Sequence, residues 1–113
     1  MTDAIARFQG LLDAGQDSAM LRLALANALL GAQRPEEAIT HLRAAVAQDS
    51  EYSAAWKLLI KTVLGQGEYQ EVLQLCESGL AAARAKKDMQ AVKEMEVYAK
   101  RAQRQLDAGA GRD

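Results

Sequence analysis

Between Ser53 and Ala85 apolar side chains recur at steps of three and four residues, first as Trp56, Leu59, Ile60 and Val63, then as Val72, Leu73, Cys76, Leu80 and Ala83. That spacing puts each set on one face of an α-helix. Gly65, Gln66 and Gly67 break the pattern between them, and two helices joined so tightly lie antiparallel. The same pattern extends over the rest of the chain and predicts six helices, over 2–14, from Asp17 or Ser18 to Gly31, and over 35–48, 53–66, 69–85 and 88–106. Their ends carry the expected punctuation. Ser18 is placed to cap the second helix, and Gly15 to end the first in a left-handed conformation. Pro35 suits the first position of the third helix, and Glu36 and Glu37 favour its positive end.

The pattern also repeats. Val72, Leu73, Cys76 and Leu80 have counterparts 34 residues earlier in Ala38, Ile39, Leu42 and Val46, and one further step earlier in Ala4, Ile5, Phe8 and Leu12. Leu59, Ile60, Val63 and Leu64 copy Leu25, Ala26, Leu29 and Leu30 in the same way. Self-similarity at such a period marks a stacked helical array. The chain then divides into a half repeat at 2–15, repeats at 19–52 and 53–86, and a capping helix at 88–107. Together they form one domain over 1–107, followed by a disordered tail at 108–113.

These residues resemble the tetratricopeptide repeat, whose signature runs Trp-x2-Leu-Gly-x2-Tyr, Ala-x3-Phe, then Pro. Trp56-x2-Leu59-Ile60-x2-Val63 matches the first block, Gly67-Glu68-Tyr69 the turn, and Val72-x3-Cys76 the second block. The first repeat offers Leu25-Ala26-x2-Leu29 and Ala38-x3-Leu42, with Arg22 in place of the Trp; Ser50 and Arg84 replace the terminal prolines. The resemblance implies an all-α fold of antiparallel helix–turn–helix repeats stacked as a short right-handed solenoid of six helices. In that family the first helix of each repeat lines a concave groove for a peptide or a partner's helix. Similar placement here presents Met20, Leu23, Asn27 and Leu30, then Lys57, Lys61 and Leu64, then Ala91, Met95 and Tyr98. The carboxylate clamp of some members is broken, because Leu23, Leu58 and Val92 stand where Lys, Asn and Arg are needed.

Composition narrows the chemistry. The 113 residues are 50% hydrophobic but only 4% aromatic, which suits closely packed helices more than a large cavity. One cysteine excludes an internal disulfide, and with a single histidine it does not make the usual zinc cluster. The net charge of −1 gives no reason to expect nucleic acid or an acidic membrane. No signal peptide or membrane-spanning run is read, so a cytoplasmic location, without cofactor or metal, is expected.

Residues 84–104 hold seven Lys and Arg against Asp88, Glu94 and Glu96. They read as the solvated face of a cap, because acids interleave with the bases. Cys76 and His41 are the conventional catalytic side chains, but Cys76 takes the place of Phe8 and Leu42 and so reads as a small core residue. Trp56 at core spacing reads as packing, not as a ligand platform. The sequence thus points to a protein-binding adaptor, a monomer or weak homodimer. Self-assembly through the ends of the stack is the alternative, and a Cys–His enzyme a remote one.

Overall fold

The computed structural model describes residues 2–110. Six helices follow one another: α1 (Thr2–Asp13), α2 (Ala19–Gly31), α3 (Pro35–Gln48), α4 (Ser53–Gly65), α5 (Tyr69–Ala85) and α6 (Met89–Ala110). Each packs on the next, and α6 packs on α4 as well as α5. The described residues extend over 50 × 31 × 19 Å.

The helix ends explain the tight turns. Gly15, Gln33, Gly67 and Lys87 all have positive φ, at 89°, 59°, 78° and 58°. The amide of the residue after each one bonds back to a carbonyl in the last helical turn, as Arg34 does to Leu29 at 2.9 Å and Asp88 to Ala83 at 2.8 Å. This closes the helix and satisfies carbonyls that would otherwise lack partners. At the opposite ends, Ser18 accepts from the Leu21 amide at 3.1 Å, and Asp88 accepts from that of Ala91 at 3.1 Å. Pro35 occupies the first turn of α3, with Glu36 and Glu37 beside it.

Packing repeats with the sequence. The buried residues of α3, Ala38, Leu42 and Ala45, correspond at the 34-residue step to those of α5 at Val72, Cys76 and Gly79. Leu25, Ala26 and Leu29 of α2 likewise correspond to Leu59, Ile60 and Val63 of α4. Leu25, Leu42, Leu59 and Ile60 are fully buried, and each such side chain contributes about 1.5–3 kcal/mol by leaving water. Ile5, Phe8 and Leu12 of α1 are only partly buried against this core, because among the described residues α1 packs chiefly on α2.

The last helix departs from the expected scheme. In the first two repeats the chain turns at Gly31–Gln33 and Gly65–Gly67; the third copy offers Ala99, Lys100 and Arg101 instead, all good helix formers. α6 therefore runs on past the α4–α5 turn. It also continues beyond Leu106, and the side-chain amide of Gln103 donates to the Asp107 carboxylate at 2.9 Å one turn on. The disordered tail expected over 108–113 is thus corrected for 108–110, which are helical; 111–113 lie outside the described residues.

Candidate partner-binding groove

Two open depressions flank the C-terminal half of α4 and share Lys61 and Gly65 as a common wall. One, of about 360 Å³, lies toward the α2–α3 turn and includes Leu30, Pro35 and Leu58. The other, of about 460 Å³, lies toward α6 and includes Leu64, Tyr69, Tyr98, Arg101 and Arg104. The second exists because α6 overshoots: Arg101 stands at the position equivalent to Gly67, where the preceding repeat has already turned away.

Of the residues the sequence pointed to, Leu30, Lys61, Leu64 and Tyr98 line this pair of depressions. Asn27 is exposed on α2, and Leu23 is half-buried against the core. Met20 is 74% exposed but belongs elsewhere, beside Phe8 and Leu11 between α1 and α2. Lys57 is already engaged: its ammonium lies 3.1 Å from the Glu94 carboxylate of α6. The Gln90 amide and then Lys57 keep the pKa of Glu94 below its usual value.

Met95 and Ala91 require correction as groove residues, since both are buried. Packed on α4 and α5, α6 turns its apolar stripe of Ala91, Val92, Met95 and Ala102 onto them. Met95 then fills the space over Gly79, and its carbonyl faces the Cys76 thiol at 3.7 Å. The sequence reading missed Arg101, Arg104 and Tyr69. The absent glycine turn at 99–101 was the signal that would have found the two arginines.

The candidate catalytic pair is not assembled. Burial pushes the Cys76 pKa up to about 11, far from a reactive thiolate. His41 instead accepts from the Arg22 guanidinium through Nδ1 at 3.1 Å. Desolvation, followed by the charge of Arg22, lowers the His41 pKa. Arg22 in turn grips both oxygens of Asp17 at 2.8 Å, and Gln48 donates to the same carboxylate, so the residue standing where the repeat signature has Trp ties the start of α2 to α3. Trp56 is buried, and its indole N–H donates to the Ser50 carbonyl at 2.9 Å. It closes the α3–α4 loop.

No described helix is long and apolar enough to cross a membrane. Tetratricopeptide repeat models match residues 29–95 and 2–50. The TPR repeat-containing protein PA0015 of Pseudomonas aeruginosa is 42% identical over 94 residues, which span 83% of this chain and 90% of that protein. The solution structure of protein BPP2914 from Bordetella parapertussis superposes with a TM-score of 0.74 at 40% identity, covering 89% of this chain and 88% of that one. MamA, at 21% identity and a TM-score of 0.63, covers 97% of this chain and 71% of its own, and shares the fold. With its helical pairs, its 34-residue step and these matches, the chain belongs to the tetratricopeptide repeat family.

Proposed function

We propose that this chain is an adaptor that binds a peptide or a single helix of a partner protein in the groove crossing α2, α4 and α6. Tetratricopeptide repeats generally mediate protein–protein interaction, and stacked helical repeats form extended binding surfaces. The observation that carries the reading here is the pair of depressions sharing Lys61 and Gly65, which adjoin as a trough whose apolar lining includes Leu30, Leu58 and Leu64. A trough of that composition suits a segment with an apolar anchor. To test it, a peptide selected from a displayed random library is titrated into isotope-labelled protein. Amide shifts should gather at Leu30, Lys61, Leu64 and Tyr98; shifts gathered on the outer faces of α3 and α5 would place binding elsewhere.

A second reading, self-association, rests on a different surface. Met20 and Leu11 are exposed beside Phe8 at the free edge of α1 and α2. A second copy covering that apolar edge would form a weak dimer. Sedimentation equilibrium then shows concentration-dependent mass that Met20→Glu abolishes, whereas a constant monomer mass for the wild-type chain removes this reading.

A further inference from the structure

We propose that the depression between the α4–α5 turn and the end of α6 receives an acidic stretch of the partner, with an aromatic or aliphatic side chain beside the acids. The inference rests on the groove reading above and names the chemistry of the segment. Three cations converge there, Lys61 from α4 and Arg101 and Arg104 from α6. Among the described residues, none of the three has a carboxylate within ion-pair distance. Several other bases are matched: Lys57 with Glu94, Arg84 with Glu96, Lys86 with Glu51 and Arg43 with Glu71. Lys61, Arg101 and Arg104 thus bring three unpaired positive charges to one concave place.

The chemistry of that place selects carboxylates. Arginine presents a planar fork that meets a carboxylate through two parallel hydrogen bonds, and two arginines one helical turn apart stand on the same face of α6. Tyr69, Tyr98 and Leu64 supply an apolar wall for a neighbouring side chain, and the tyrosine hydroxyls and Gln105 add polar contacts. The volume, about 460 Å³, is within the range of sites that accept a few side chains. A nucleic acid would instead follow an extended basic stripe. Here Glu94 and Glu96 interrupt the bases of α6, and the whole chain carries a net charge of −1.

The test uses the full chain and an amidated, fluorescein-labelled dodecapeptide of Asp and Glu around one Phe, read by anisotropy at low salt. Its counterpart has Asn and Gln in place of the acids. The triple variant Lys61→Gln, Arg101→Gln and Arg104→Gln should bind the acidic peptide about tenfold more weakly than wild type. Arg7→Gln, Lys87→Gln and Lys93→Gln together, which remove the same charge outside the depression, should leave affinity within about twofold, as surface changes away from the contact do. Affinity should also fall as salt rises, since these charges are exposed. Equal losses in the two variants, or tighter binding of a single-stranded oligonucleotide of equal charge, would overturn the proposal. If the amide peptide binds as well as the acidic one and shifts the groove resonances, the acidic specificity fails while the groove reading stands. If neither peptide shifts them, both readings fail for these ligands.

Discussion

At Gly79, α4, α5 and α6 approach more closely than a side chain would allow. A Cβ built there would stand 2.8 Å from Met95 Sδ and 2.9 Å from Ile60 Cδ1, with Trp56 Cβ at 3.4 Å. Alanine in a helix interior is ordinarily favoured over glycine by about 1 kcal/mol. Overpacking a filled core costs about 1–3 kcal/mol, and Met95 and Ile60 are both fully buried, with little room to move. Steric cost therefore wins, and Gly79→Ala should lower stability in urea unfolding by roughly 1 kcal/mol net. Ile60→Val removes one of the two clashing atoms, so its cost should be smaller in the alanine background than in the wild type. A stabilised Gly79→Ala protein would show that the three helices part more easily than their contacts suggest.

Among the elements, five of the six helices end within a residue or two of where the apolar spacing puts them, because their caps are local in sequence: Ser18, Pro35, Gly15 and Gly67 act on residues within one turn. Side-chain direction was legible for as long as the repeat had neighbours on both sides. Lys61 and Met95 are 34 residues apart, yet one is exposed and the other buried. The internal helix α4 divides its burial between α3, α5 and α6, whereas α6, among the described residues, packs on α4 and α5. It rotates its stripe inward, and the repeat period carries no information about that rotation. The ion pair of Lys57 was not legible for a related reason. Its partner, Glu94, lies on another helix, and pairing between helices depends on how they stack.

For the whole molecule, each helix depends on its neighbours, and the ends are the least covered. Removing α1, in a chain that starts at Asp17, exposes the side of α2 against which Ile5, Phe8 and Leu12 pack. Three partly buried side chains at about 1 kcal/mol each should lower the thermal midpoint by about 10 °C or more in a domain of this size. An unchanged melting curve would mean that α1 rests on the stack without supporting it. At the other end, the Ser53 hydroxyl at the start of α4 donates to Asp88 at 2.8 Å, and the same carboxylate caps α6. From that point to Arg104, α6 runs about 24 Å at 1.5 Å per residue. A tilt of about 5° at Asp88 would displace Arg104 by about 2 Å. The gap between Arg104 and the α4–α5 turn is thus sensitive to Ser53 and Asp88, two residues that would touch no ligand held there.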